Sequence, residues 1–225
     1  MTKDICPIYD DIADAIITMK LVPGEKISEI ESSKKYNVSR TPIRDVFKRL
    51  EDNGLLEIRS QSGTFVTKID MGNVADLVYI RNCCEYAVLC KLAGNITKEQ
   101  ADYLYENLAK QQELSENISH EKFAADYFRL DNEFHRYIYS LAGKEGILQI
   151  LNADQPNFQR YRFITFLRQD EELKRLNLVH TNMVKALVEN DYQALRDIVY
   201  EHNYSGFRGI DKVIETHPEY FMNIK

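Results

Sequence analysis

The segment SRTPIRDVFKRLEDN, residues 39–53, has a pattern that a half-buried helix satisfies. Its apolar residues recur at intervals of four and three, which places them on one helix face. That face carries Ile43, Phe47 and Leu50. A second stripe, at intervals of four, carries Arg40, Arg44 and Lys48. The segment therefore predicts a helix that packs one face into a core and directs three cations outward.

This basic helix lies in an acidic protein, which is informative about its partner. The whole chain has a formal net charge of -6, yet the stretch 34–49 holds six Lys and Arg against one acid, Asp45. Ser39 or Thr41 can cap the helix N-terminus, and Pro42 suits its first turn. The free N–H groups and the positive dipole end of that turn favour a phosphate. The pattern indicates a focused contact with a polyanion.

Helical segments precede the basic helix, and a hairpin follows it. Residues 28–36 are predicted to form a short helix, and residues 55–68 two strands with Gly63 in the turn. In a helix-turn-helix, the N-terminal residues of the second helix lie nearest the base edges. Arg40 and Arg44 occupy those positions, and arginine is the usual reader of guanine. The alternative is an amphipathic helix with a solvated basic side, but the flanking elements favour DNA binding.

The runs VSRTPIRDVFKRLEDNGLL and SGTFV resemble the DNA-binding domain of GntR-type winged-helix transcription regulators, over residues 8–68. The resemblance implies that the recognition-helix arginines, the Ser39 hydroxyl and the wing glycine contact operator DNA. With neighbouring polar residues added, the predicted DNA-binding set is Ser39, Arg40, Thr41, Arg44, Lys48, Arg49 and Gly63. The chain departs from the family at Ser32 and Ser33, where a Leu-Ala pair is usual, and at Ile30, where some members have arginine.

After Asp70 the sequence predicts helices and no further strand. The predicted helices span about 74–94, 97–115, 120–142, 145–153, 156–168, 170–188 and 191–213. Thr97 and Gln100 form a capping-box pattern at the start of the second of these helices. The expected fold class is mainly α, with an N-terminal winged helix-turn-helix over residues 1–70 followed by an all-α helical bundle over residues 71–225.

Composition and cysteine spacing indicate the cellular compartment of the protein. No apolar run approaches the roughly 18 residues that span a bilayer, and acidic residues interrupt the apolar N-terminal stretch, unlike in a secretory leader. The four cysteines show no spacing typical of a disulfide framework. We expect a cytoplasmic protein with reduced thiols and no membrane association.

Three histidines and one acid of the predicted bundle face its interior. Asp131 and His135 are four residues apart on one helix, and His180 and His202 lie on apolar stripes of two others. A single histidine on an apolar face is more often a hydrogen-bonded core residue than a ligand. Three such histidines with an inward carboxylate are harder to explain that way, because burying an unpaired carboxylate is costly. A divalent metal would satisfy all four groups.

The arrangement resembles the FCD domain of the FadR-like branch of GntR regulators, over residues 73–214. The resemblance implies a metal held by Asp131, His135, His180 and His202. It also implies that a small organic acid fills the open positions of that metal. Imidazole ligands suit a divalent transition metal, zinc first, with nickel or iron as alternatives.

Inward-facing arginines are candidates to bind the effector. Arg81 lies on an inward stripe of the first bundle helix, where a guanidinium needs an anion. The anion is either the effector or Glu85, which lies four residues further on and could form a structural ion pair. Arg162 and Arg160, shortly after Pro156, are further candidates.

The leading hypothesis is a transcription regulator that binds a palindromic operator as a homodimer and responds to a small organic acid. An enzyme is not expected, because four protein ligands with no obvious general base argue against a catalytic metal. A metalloenzyme with an accessory DNA-binding arm is the first alternative. The second is a regulator whose pocket holds no metal and binds an apolar or neutral ligand.

Overall fold

A computed structural model of the chain describes residues 6–116, 120–152, 155–167 and 170–224. The helices in these ranges are α1 (Cys6–Ile17), α2 (Glu29–Lys35), α3 (Arg40–Asp52), α4 (Met71–Leu92), α5 (Lys98–Glu116), α6 (His120–Leu141), α7 (Glu145–Asn152), α8 (Pro156–Leu167), α9 (Asp170–Glu189) and α10 (Tyr192–Thr216). The strands are β1 (Lys26–Ile27), β2 (Leu56–Arg59), β3 (Gly63–Val66), β4 (Ile69–Asp70) and β5 (Phe221–Met222). The mainly α fold class with an N-terminal winged helix-turn-helix is confirmed.

The described residues divide into two compact units. The first unit takes residues 6–74, 155–164 and 211–224. The second unit takes residues 75–116, 120–152, 165–167 and 170–210. The winged helix-turn-helix therefore lies in the first unit, together with parts of α8 and α10. The domain division at residue 70 stays a prediction.

The predicted hairpin is present as β2 and β3, an antiparallel pair that runs from Leu56 opposite Val66 to Arg59 opposite Gly63. A third strand, β1, which the sequence did not predict, pairs with the other edge of β3. Gly63 has a φ of +119°, and a Cβ there would lie 2.5 Å from Cε of Lys26. The start of β3 therefore favours glycine for its backbone conformation, whereas the flexible Lys26 side chain could move away from a Cβ.

The apolar stripe of α3 forms the centre of the winged-helix core, as predicted. Ile43 and Leu50 have no exposed surface, and Phe47 is 1% exposed. They pack with buried residues of α1 and the wing, among them Ile12, Ile16, Leu55, Leu56 and Val66. Burial of one face of α3 fixes the direction in which its opposite, basic face points.

A parallel strand pair corrects the expectation that no strand follows Asp70. β4 and β5 pair in parallel, with Ile69 opposite Phe221. Nδ2 of Asn223 donates to Oδ2 of Asp70 at 2.9 Å, and Phe221 is buried. A two-residue strand is too short to show a periodic pattern, and its partner lies far away in the chain.

The second unit is a helical bundle in which α5 packs against α6 and α9. Polar side chains join these helices, because Nδ2 of Asn107 donates to the Leu130 carbonyl at 3.1 Å and Nδ2 of Asn177 donates to the Leu108 carbonyl at 2.9 Å. The capping box is confirmed, since the N–H of Thr97 donates to Oε1 of Gln100 at 2.9 Å. In the described residues, no helix combines the length and hydrophobicity of a membrane span.

Arg160, at the start of α8, is fully buried within the first unit. Its Nη1 donates to the Thr67 carbonyl at 2.6 Å, its Nε to the Pro156 carbonyl at 3.2 Å and its Nη2 to Oδ1 of Asn157 at 3.0 Å. Burial lowers its pKa to about 10, so the guanidinium remains charged at neutral pH. The sequence analysis named Arg160 as a candidate to bind the effector. In the structure its guanidinium donates to these backbone and side-chain acceptors of the first unit.

Replacing Arg160 with methionine should lower the free energy of unfolding by about 2–4 kcal/mol, because buried carbonyl groups lose their donors. Arg162→Met on the same helix is the matched control, since this half-buried side chain lies over the Phe158 ring. Urea unfolding followed by circular dichroism measures both changes. Equal stability of Arg160→Met and wild type would contradict the assigned role.

Candidate functional site

Three helices of the second unit bring the predicted metal ligands together. α6 supplies Asp131 and His135, α9 supplies His180, and α10 supplies His202. Each of the three histidines offers a ring nitrogen, and these nitrogens all lie within 4.8 Å of one another. We call these four residues the His/Asp cluster.

The carboxylate of the cluster lies close to two of its histidines. Oδ1 of Asp131 is 3.8 Å from Nε2 of His180 and 3.9 Å from Nε2 of His135. Asp131 is 1% exposed, and His180 has no exposed surface. These separations are longer than a hydrogen bond. Two atoms that each bind the same metal ion at ~2.1 Å can lie up to ~4.2 Å apart, and both separations are within that limit. Small side-chain shifts would therefore bring the cluster to metal-ligand distances.

Glu85 on α4 is a functional candidate that the sequence reasoning missed. Its Oε1 lies 3.0 Å from Nδ1 of His135, and its Oε2 accepts a hydrogen bond from Nδ2 of Asn203 at 2.7 Å and lies 3.6 Å from Nε2 of His202. A carboxylate on Nδ1 of a histidine fixes the ring and leaves Nε2 available as a ligand. The sequence left open an ion pair between Glu85 and Arg81, whereas the contacts described for Glu85 go to α6 and α10.

The protonation states in this cluster suit metal binding. Burial favours the neutral carboxyl of Glu85, but His202, His135 and Asn203 outweigh burial and hold its pKa below the ordinary value. Burial and the nearby His202 lower the pKa of His180 well below its ordinary value, so that its imidazole is neutral at neutral pH. Neutral imidazole and ionised carboxylate are the forms that ligate metals.

His180 provides the test of whether these residues fit a metal. In the described part of the chain, neither of its ring nitrogens has a hydrogen-bond partner, and both are buried. The Phe134 ring stacks on one face of the imidazole, with centroids 4.6 Å apart. A buried polar group without a partner is rare and costly. A metal ion would satisfy one of these nitrogens, so the residues present fit such an ion.

The two predicted effector arginines lie in different units. Arg81, in the second unit, donates from Nη2 to the Leu151 carbonyl at 2.8 Å and also to the side chain of Asn152. Arg162, in the first unit, lies over the Phe158 ring, 5.9 Å from its centroid. Their role toward an effector stays a prediction.

The predicted DNA-binding residues lie at the N-terminus and exposed face of α3 and at the start of β3 in the wing. Ser39 holds the N-cap position, but its side chain makes no capping hydrogen bond, and Thr41 is also exposed. Lys48 is paired with Glu51 and Asp52 at 2.8 Å and 3.1 Å. The remaining members are Arg49, which lies over the Tyr9 ring at 4.8 Å, Gly63 in the wing, and Arg40 and Arg44.

Arg40 and Arg44 share one acidic residue. Oε2 of Glu29, at the start of α2, accepts from Nη2 of Arg40 and from Nε of Arg44, each at 2.9 Å. The two arginine side chains are 52% and 60% exposed. They therefore remain accessible while one carboxylate links them.

Comparison with known proteins decides the family. Residues 7–66 match the family described as "Bacterial regulatory proteins, gntR family", and residues 76–204 match the "FCD domain". The second match alone covers more than half of the chain. The chain belongs to the GntR family and carries an FCD domain. Both resemblances drawn from the sequence are thereby confirmed.

Two curated relatives of this GntR-family chain are named as regulators. The HTH-type transcriptional repressor RspR of Escherichia coli (strain K12) is 30% identical over 216 residues, which are 95% of this chain and 92% of that protein. The Nta operon transcriptional regulator of Aminobacter aminovorans is 27% identical over 193 residues, 85% of this chain and 87% of that protein. The chain is thus a transcription regulator and not an enzyme, so the metalloenzyme alternative is wrong.

A solved structure supports the same fold. E. coli McbR/YncC has a TM-score of 0.70 to this GntR-family chain at 16% sequence identity, covering 95% of this chain and 99% of that one. At this identity the likeness is evidence for the fold alone. The metal, the effector and the DNA contacts depend on the chain's own residues.

Proposed function

We propose that this GntR-family regulator binds operator DNA through α3 and the wing, and senses a small organic acid at a metal in its FCD domain. The proposed metal ligands are Asp131, His135, His180 and His202. The observation that carries the proposal is the buried His180, whose ring nitrogens have no hydrogen-bond partner in the described residues and lie beside Asp131.

The ligand set favours a divalent transition metal. Three imidazoles and one carboxylate suit zinc, with nickel and iron as alternatives, and hard cations such as Mg²⁺ prefer oxygen ligands. Facing helices of a bundle commonly supply such side chains. Four protein ligands leave positions on a five- or six-coordinate ion where the carboxylate of an effector can bind.

One arginine of the second unit lies on the same helix as Glu85. Arg81 lies one helical turn before Glu85 on α4, and the charges of both residues act on Tyr139. Burial and Glu85 raise the pKa of Tyr139, while Arg81 acts in the opposite direction. Arg81 is therefore the first candidate to pair with an effector carboxylate in this unit, and Arg162 is the second candidate in the chain.

We assign DNA recognition to the N-terminal turn of α3. Arg40 and Arg44 are one turn apart on its exposed face and can reach base edges in the major groove, while Ser39 and Thr41 suit phosphates. A homodimer would read the two halves of a palindromic operator. Effector binding would change operator affinity through coupling between the two sites.

An exposed aromatic patch on α4 and α10 is a candidate dimer surface. Tyr79 and Tyr200 are 64% and 59% exposed, and Tyr200 stacks on Tyr204 with ring centroids 4.6 Å apart. Ile80 on α4 is also exposed. Clustered exposed aromatic groups are typical of protein–protein contacts.

The expected cytoplasmic location stays a prediction.

Metal analysis of the purified, untagged protein tests the metal site. Protein incubated with Zn²⁺ or Ni²⁺ and then desalted should retain about one ion per chain, and His180→Ala should lose it. His217→Ala is the matched control, because this histidine lies in the first unit, outside the cluster. Wild-type protein that retains neither ion would contradict the proposal and support a metal-free pocket.

Glu85→Gln should weaken Zn²⁺ binding about 10- to 100-fold, because His135 loses its charged orienting group. Glu133→Gln on α6 is a suitable control, since that carboxylate pairs with Arg129 at 2.8 Å and is partly exposed. Competition with a chromogenic chelator gives both affinities. Equal affinities in Glu85→Gln and wild type would show that Glu85 has no role in orienting the ligands.

Arg44→Ala should weaken binding by about 1–3 kcal/mol to a duplex that the wild-type protein has selected from a random pool. Most of that loss should come from one base position of the duplex. Arg196→Ala, an exposed arginine of the second unit, should have no effect. Fluorescence anisotropy at several salt concentrations measures both variants. Wild-type affinity should also fall steeply with salt, and a weak salt dependence would count against α3 as the recognition helix.

A further inference from the structure

One carboxylate connects the two arginines that we assign to base reading. Glu29 is the first residue of α2, whose N-terminus is capped because the N–H of Glu31 donates to Oγ of Ser28 at 3.3 Å. From there its Oε2 accepts from Nη2 of Arg40 and Nε of Arg44, both at 2.9 Å. The Glu29 side chain is 27% exposed, about half as much as either arginine.

The nitrogen of Arg44 that Glu29 contacts determines which of its other N–H groups can contact a base. Glu29 uses Nε and leaves the two terminal amino groups of Arg44, which have no hydrogen bond in the part of the chain that the structure describes. Those two groups form the fork that pairs with O6 and N7 of guanine. An unanchored arginine samples many rotamers, and ordering it on binding costs entropy. Glu29 therefore holds Arg44 in an arrangement that keeps its reading edge available.

The charge of Glu29 acts on sequence-independent binding as well. Burial raises the pKa of Glu29, but the hydrogen bonds from Arg40 and Arg44 outweigh burial and bring the pKa below its ordinary value. The side chain is thus anionic at neutral pH, on the face that would meet phosphates. Sequence-independent affinity depends on the cations available to phosphates, so an acid beside them reduces it.

We infer that Glu29 is a specificity-determining residue of the DNA interface. It orients Arg40 and Arg44 toward base edges and weakens the attraction of the same face for DNA of any sequence. Both effects increase the difference in affinity between an operator and other DNA. The inference rests on the proposed role of α3 in DNA binding. It adds to that role a residue of α2 that acts through the arginines.

Three variants of the full-length protein separate orientation from charge. Glu29→Gln removes the charge and weakens the hold on both arginines. Glu29→Asp keeps the charge, but its side chain is one methylene too short to hold both. Glu31→Gln removes one charge from the same helix, at an exposed residue for which the structure describes no ion pair. Thermal unfolding establishes that each variant is folded at the assay temperature.

The assay uses two probes, a duplex enriched by the wild-type protein from a random pool and a scrambled duplex of the same composition. Glu29→Gln should lower the affinity ratio of the two duplexes about tenfold and tighten binding to the scrambled one. Glu29→Asp should lower the ratio without tightening scrambled binding. Glu31→Gln should leave the ratio near that of the wild type.

The inference is overturned if Glu29→Asp matches the wild type, or if Glu29→Gln and Glu31→Gln change the ratio equally. The first result would show that the charge alone matters, and the second that an acidic residue elsewhere on α2 has the same effect. Failure of the underlying assignment gives a different result, in which the wild-type protein enriches no sequence from the pool. A wild-type motif with unchanged variants therefore rejects the role of Glu29 alone.

Discussion

The burial of charged and polar side chains among apolar helices is the constraint on which the FCD domain depends. Glu85 and Asp131 are 5% and 1% exposed, and His180 has no exposed surface. Such groups are stable in an interior only when they pair with one another or ligate a metal. His135 and Asn203 satisfy Glu85, whereas no described hydrogen bond satisfies His180. We interpret this difference as the mark of a ligand site.

In the winged helix-turn-helix, the two faces of α3 have different roles. One face of α3 is buried through Ile43, Phe47 and Leu50, which fixes the helix in the core. The opposite face carries arginines that are more than half exposed. Packing thereby positions the arginines, and Glu29 sets their side-chain direction. In our proposal the arginines contact DNA, and Glu29 increases their discrimination between sequences.

The sequence predicted features that depend on local periodicity and missed those that depend on distant pairs. The stripes of α3 and the inward direction of the cluster follow from helical spacing within a few residues. Glu29 and Arg44 are 15 residues apart, and Asp70 and Asn223 are 153 apart. No local pattern specifies such contacts. For the same reason helical spacing suggested Arg81 on α4 as one possible partner of Glu85 and did not indicate His135 on another helix.

X-ray absorption spectroscopy of the untagged protein loaded with Zn²⁺ would identify the ligands of the proposed metal. We expect a first shell of nitrogen and oxygen only, with the multiple scattering of several imidazole rings. The four cysteines are the competing ligands elsewhere in the chain. Sulfur in the first shell, or a shell without imidazole scattering, would contradict the assignment of the metal to the His/Asp cluster.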